Sequence, residues 1–249
     1  MSAPVAESAA TLVEGYRQML LDGCSQHACA RHELFDTLRV CNITAGQSSA
    51  MLKNYDAHAT VLRRLLLKAA SIMPEEAAGY ILENVRNEYG NGNPAWRHQL
   101  QLKELAKCAG ASAEQFAGEP IQPGVREYIR RIVPLYFPIR AIGLPNGLYR
   151  PAVAAGAITA TEVMALEEFR AMQHAYRHLG LADHIWFDHV NVEAEHSDES
   201  LALALHFIER HGAQEAVMFG MQSVLDANVR LYDGLLSALK MMKPAQAAG

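Results

Sequence analysis

The chain has 249 residues, half of them hydrophobic and a fifth charged, with a net charge of −5 when histidine is neutral. That length supports one sizeable core, and the composition is ordinary for a globular protein. The acidic balance, with no basic cluster interleaved with aromatics, argues against nucleic acid as a partner. No apolar run reaches the roughly 20 residues that span a bilayer, so a membrane is not an expected partner either. The opening Met1 to Glu7 lacks a basic stretch followed by an apolar one, so no signal peptide is read there, and a cytoplasmic location is expected.

Helical periodicity governs nearly the whole chain. Apolar residues recur at three- and four-residue intervals from Ala9 to Leu21, and again from Ala45 to Ile72 through Leu52, Tyr55, Ala59, Leu62 and Leu66. Met73-Pro74-Glu75-Glu76 reads as a helix start, with proline in the first turn and acids at the positive dipole end. That helix should run to about Tyr89, where Gly90-Asn91-Gly92-Asn93 interrupts it before Pro94 opens the next, through Leu105 or Cys108. A short helix follows Ser112, and another covers Pro123 to Tyr136. The stretch from Val133 to Pro145 is the least regular. Helix formers return from Tyr149 to Leu179, with a break expected between Gly156 and Thr161. The last helices are read over 183–196, 199–211 and 214–242, and 243–249 reads as a frayed tail. No alternating β-branched run is long enough for a strand. The expectation is a single all-α domain spanning 1–249, an up-and-down bundle of about seven to nine helices. The apolar helices Leu201 to Ile208 and Val217 to Leu239 serve as core or as the interface of a homodimer.

Four cysteines, Cys24, Cys29, Cys41 and Cys108, contain no CxxC pair and do not make a disulfide framework. Cys24, His27, Cys29 and His32 form a local cluster. Its two pairs interleave, however, instead of following one another across a loop that could fold back on an ion. Buried thiols and helix-surface histidines account for it more simply.

The strongest chemical signal is His189-Val-Asn-Val-Glu193-Ala-Glu-His196. On a helix Glu193 lies roughly 40° from His189, and His196 roughly 20° to the other side, so three nitrogen and oxygen donors share one stripe. A solvated polar face is the alternative, given Asp188, Glu195, Asp198 and Glu199 around them. The preceding Trp186-Phe187 favours burial, where ionisable groups need partners. A second segment places Glu88 and His98 on either side of the glycine-rich interruption. Taken alone it reads as an exposed helix end with a turn. With the stripe, the count becomes two carboxylates and three histidines, close to a dinuclear iron or manganese site.

The order Glu-x-Gly-x-Gly, His, a downstream Glu, then His-x3-Glu-x2-His resembles the haem-oxygenase-like dimetal oxidases and oxygenases, over roughly Ile81 to Ser197. The resemblance implies a haem-oxygenase-like bundle and a metal set of Glu88, His98, Glu162, His189, Glu193 and His196. Glu162, 27 residues before His189, is the choice for the middle ligand, with Glu167 and Glu168 as alternatives. The stripe departs from the family in carrying Glu193 where aspartate is more usual. Some members add a carboxylate from an early helix; here Asp56 and His58 fall in that region without a matching register.

The implied cofactors are two Fe(II), with Mn as a substitute, and dioxygen as co-substrate. The implied activity is that of a non-haem diiron oxygenase acting on a small molecule, an amino acid or amine. N-oxygenation is preferred over oxidative C–C cleavage or desaturation of an amino or fatty acid, and an external electron donor is an expected partner. Arg86, Arg97, Arg140, Arg150 and Arg177 are candidates to hold a substrate carboxylate. Two other readings stay open: a metal-free thiaminase-type or cofactor-making enzyme, with Cys41 or Cys108 as nucleophile, and a non-enzymatic helical interaction protein.

Overall fold

A computed structural model describes residues 3–137, 145 and 147–241, and, within these, all side chains but those of 3–10, 189 and 191–195. Among the described residues there are ten α-helices, joined by short turns and four 3₁₀ segments, and no strand. They are α1 (Ala3–Gln26), α2 (Glu33–Val40), α3 (Ala45–Ala70), α4 (Glu75–Glu88), α5 (His98–Cys108), α6 (Ala113–Gly118), α7 (Pro123–Tyr136), α8 (Arg150–Tyr176), α9 (His189–His211) and α10 (Gln214–Met241). The all-α expectation holds, with one or more helices beyond the count expected; α2 was not foreseen. The expected tail at 243–249 and most of the irregular stretch before Pro145, including Arg140, lie outside the described residues.

Small residues set the centre of the bundle. The first half of α8 is buried on every side, from Pro151 to Ala160, because it packs against α9, α10, α7 and α2. A Cβ on Gly156 would stand 1.9 Å from the Val217 carbonyl oxygen, and one on Gly220 would stand 2.0 Å from that of Val153. These two glycines let the α8 and α10 backbones touch. Gly124 and Gly234 do the same where α7 crosses α10, with the Arg230 oxygen 2.3 Å from a Cβ on Gly124. Gly156 is therefore a helix-crossing residue, and the break expected between Gly156 and Thr161 does not occur: α8 runs through it.

The two helices expected over 183–196 and 199–211 are also one. Residues 185–188 form a 3₁₀ turn, and α9 continues from His189 to His211. Ser197, Asp198 and Glu199 resemble a helix start, but Ser200 Oγ donates to the Ser197 oxygen (2.8 Å) and Asp198 pairs with Arg17. Leu201, Leu203, Ala204 and Phe207 are buried, with α9 packed mainly on α8. Packing overrides the local capping preference. The apolar faces of 201–208 and 217–239 are thereby core of the chain itself.

Candidate metal centre

The Glu88–His98 segment is built by a glycine turn. Gly90, Asn91 and Gly92 all have positive φ (88°, 52° and 87°), and a Cβ on Gly90 would lie 2.3 Å from the Asn93 oxygen. Only glycine at position 90 allows the reversal. The turn returns the chain so that His98, the first residue of α5, reaches the last residue of α4: His98 Nδ1 lies 3.1 Å from Glu88 Oε1. Arg63 of α3 stands on the other Glu88 oxygen at 3.8 Å.

Glu88 and Glu162 line one cavity of about 50 Å³. Its walls include Tyr55, His58 and Arg63 from α3, Tyr128 from α7, Glu168 and Phe169 from α8, and Trp186. His98 and Glu162 are buried, as is His196 on α9. The backbone of α9 carries His189 and Glu193 in the same helix as His196, which keeps their spacing helical; their side chains lie outside the described residues. Of the six sequence-predicted ligands, the structure thus brings Glu88, His98 and Glu162 to one buried region.

The two alternatives for the middle carboxylate separate clearly. Glu167 pairs with Arg39 at the surface. Glu168 is buried in the cavity wall and accepts hydrogen bonds from Tyr232 (2.6 Å) and Tyr55 (3.3 Å). Burial pushes its carboxyl up to about 7 against the pull of those two hydroxyls.

Two residues of the cavity wall, His58 and Arg63, are not singled out by the sequence. His58 is buried, with both ring nitrogens lacking a hydrogen-bond partner among the described residues. Its ring packs on Tyr55 and Tyr128 at 4.4 and 5.6 Å. Burial, helped by Arg63, holds it down to about 3, so it is a neutral imidazole. Asp56, its companion candidate, instead bonds Thr60 and lines a different cleft. Arg63, and none of the candidate arginines among the described residues, lines this cavity. Of those described, Arg86 pairs with Glu83 on the surface and Arg97 Nε donates to the Pro94 oxygen. The polar residues buried along α3, namely Ser48, Ser49, Asn54, Asp56, His58 and Arg63, follow no spacing that would mark them in the sequence. A more open cleft of about 250 Å³ is lined by Asn87, Asn91, Trp96, His98, Gln101 and Asp188, so His98 lines this cleft while its Nδ1 meets Glu88 of the cavity wall.

The Cys24–His32 cluster is not arranged for metal. His27 and His32 each turn Nδ1 to a backbone N–H, of Cys29 and Leu34, and Nε2 to an α10 carboxylate, Asp226 (3.1 Å) and Asp233 (3.2 Å). Cys24 and Cys29 are buried, and burial pushes both thiols up to about 12. Neither Cys41 nor Cys108 lines the Glu88–Glu162 cavity.

Residues 50–229 match the family described as iron-containing redox enzymes. No curated protein matches the chain. Among solved structures, a CADD-like protein of unknown function from Nostoc punctiforme superposes with a TM-score of 0.71 at 14% identity, covering 92% of this chain and 99% of that one. A domain of unknown function with a heme oxygenase-like fold from Shewanella denitrificans gives 0.66 at 12%, covering 93% and 94%. A TenA family transcription regulator from a Silicibacter species gives 0.61 at 12%, covering 93% and 96%. At such identities the likeness speaks for the fold. No helix among the described residues is long and apolar enough to cross a membrane.

Proposed function

Because this chain belongs to the iron-containing redox enzymes and has the haem-oxygenase-like fold, we propose that it is a dioxygen-activating diiron oxygenase acting on an amino acid or small amine. Glu88, His98, Glu162, His189, Glu193 and His196 are the proposed ligands. The observation that carries the reading is a shared buried cavity: Glu88 and Glu162 face it, with His98 Nδ1 3.1 Å from a Glu88 carboxylate oxygen. The donor set suits iron, since carboxylates offset the ionic charge and imidazoles keep the ion bound at neutral pH. The two orphaned nitrogens of His58 in the same cavity point the same way, because buried polar atoms without partners call for a ligand. Bound there, two ferrous ions would supply the open coordination positions and the electrons for dioxygen activation.

The protein's own groups then have separable tasks. Arg63 balances Glu88 now; with that carboxylate turned to metal, its guanidinium is the nearest cation for a substrate carboxylate. Tyr55, Tyr128, Phe169 and Trp186 wall the cavity and exclude bulk water. Glu168, with its proton equilibrium near neutrality, holds a proton on a carboxyl oxygen within reach of the Tyr232 and Tyr55 hydroxyls. A cavity of about 50 Å³ has room for ions and a few waters. A substrate of amino-acid size would therefore extend beyond it, toward the neighbouring cleft that His98 lines. N-oxygenation is the preferred reaction: a primary amine, dioxygen, two protons and two electrons give a hydroxylamine and water. That balance requires an external electron donor, and so does desaturation, in which the substrate supplies two of the four electrons that take dioxygen to two waters and the donor supplies the other two.

The test is an anaerobic Fe(II) titration followed by exposure to dioxygen, read by optical and Mössbauer spectroscopy. Wild type is compared with His189→Ala, His196→Ala and Glu162→Gln. Uptake of two irons, with an oxygen-dependent spectral change lost in the variants, is expected. Absence of iron uptake, or variants that behave as wild type, refutes the assignment. Product analysis with amines and amino acids separates hydroxylamine formation from C–C cleavage.

A further inference from the structure

A second group of metal-type side chains lies at the opposite end of the α4–α9 pair. Glu76, in the first turn of α4, meets His206 and His211 of α9, and one donor atom from each lies within 4.8 Å of the other two. His206 is ten residues beyond His196, about 15 Å along α9, and Glu76 is twelve residues before Glu88, about 18 Å along α4. This cluster is therefore separate from the proposed diiron centre.

Two features distinguish it from an accidental polar patch. His206 Nε2 is buried and has no hydrogen-bond partner among the described residues. Both rings are also held by aromatic neighbours. His206 packs against Tyr80 (6.4 Å) and Phe207 (5.4 Å), and His211 against Tyr149 (5.4 Å) and Phe207 (5.4 Å), with 5.6 Å between the two imidazoles. His211 is the last residue of α9, before Gly212 at φ 59°. There the helix dipole presents its negative end, which favours a cation. Donors at about 2.1 Å from a tetrahedral ion stand roughly 3.4 Å apart. Small side-chain rotations suffice to close the three donors onto one ion.

We infer that Glu76, His206 and His211 bind one divalent first-row transition ion, with Zn(II) the best match, and that the ion staples the start of α4 to the end of α9. Two imidazoles and one carboxylate form a three-ligand set whose fourth position, on the exposed side of Glu76 and His211, takes water. Iron of the redox centre is not required.

The test is a Co(II) titration of the full chain followed by optical absorption, with Zn(II) displacement, in wild type, Glu76→Gln, His211→Ala and His206→Ala. Glu76 and His211 are exposed, so the first two variants are expected to fold whatever happens to the third. Wild type should take up one more Co(II) than Glu76→Gln or His211→Ala. Affinity at this site should fall by more than about 100-fold in those variants, since even outer-sphere partners of a metal cost 10–100-fold. Zn(II) should raise the melting temperature of wild type through this site and lose that effect in both variants. The same extra ion must appear in Glu162→Gln, which separates this inference from the fate of the diiron reading. Equal Co(II) uptake by wild type, Glu76→Gln and His211→Ala overturns it.

Discussion

Glu168 offers a direct measurement of how dry the cavity is. Its carboxyl is buried, and burial raises it from 4.5 to about 7 despite hydrogen bonds donated by Tyr232 and Tyr55. A group raised in the folded state binds its proton more tightly there than in the unfolded chain. Its effect on stability is therefore neutral below about pH 4.5 and becomes an increasing penalty as pH rises toward 7, levelling off above it. At about 1.4 kcal/mol per tenfold change in acid constant, the penalty is about 3 kcal/mol. Glu168→Gln removes the ionisation while keeping an amide that can bond both tyrosines. Urea unfolding of chelator-treated protein from pH 4 to 8 reads the result as a difference between variant and wild type, in which the remaining titrations largely cancel. The variant should gain about 3 kcal/mol relative to wild type between pH 4.5 and 8. A difference that stays constant, or that falls with pH, would show that water or a cation reaches the carboxylate.

His58 predicts the opposite slope. Held at about 3 against an ordinary 6.5, it costs nothing above pH 6.5. It withdraws stability as pH falls toward 3, because the unfolded chain takes up the proton first. His58→Gln should relieve up to about 5 kcal/mol of acid destabilisation in the metal-free protein, measured in the same titration. Gly156→Ala should cost more than the roughly 1–3 kcal/mol of ordinary overpacking, because its methyl would lie 1.9 Å from the Val217 oxygen; calorimetry that finds the variant as stable as wild type refutes the close crossing. Alkylation at pH 8 should label exposed Cys108 rapidly. Cys24 and Cys29, buried with thiols near 12, should react only on unfolding, as peptide mass mapping will show.

Much of this arrangement was legible in the sequence for reasons that particular residues make plain. The boundaries of α3, α4, α7 and α10 followed from apolar spacing and from Pro74 and Pro123, both local signals. Glu88 and His98 were found because the glycine turn that joins them is written between them. What failed was long-range. Gly156 and Ser197 carry local signals of interruption that packing against Val217 and α8 overrules. His58 and Arg63 lie on a helix buried on most of its circumference, where polarity ceases to mark the solvent side, so no periodic pattern singles them out. Glu76 and His206 are 130 residues apart and meet only through the antiparallel approach of α4 to α9.

The same small residues that mislead a local reading make the cavity possible. Gly156 and Gly220 bring α8 and α10 into backbone contact, and Gly124 and Gly234 bring α7 against α10. With these backbones so close, the side chains one to three turns further along α8 meet residues of three other helices: Glu162 and Glu168 face Tyr128 of α7, His58 of α3 and Asn228 of α10 around one space. Aromatic rings wall much of that space and charge has little water to lean on, so burial raises a glutamate there to near neutrality and keeps a histidine uncharged. An ion entering such a site would replace solvent as the partner of these groups, so metal binding and proton release should be linked. Proton release on Fe(II) addition, measured by indicator dye in weakly buffered solution, should be larger at pH 6 than at pH 8 and should shrink in Glu168→Gln if that carboxyl ionises as iron binds. Equal release by wild type and variant at both pH values would separate Glu168 from the metal chemistry and leave it a structural hydrogen-bond acceptor for Tyr232.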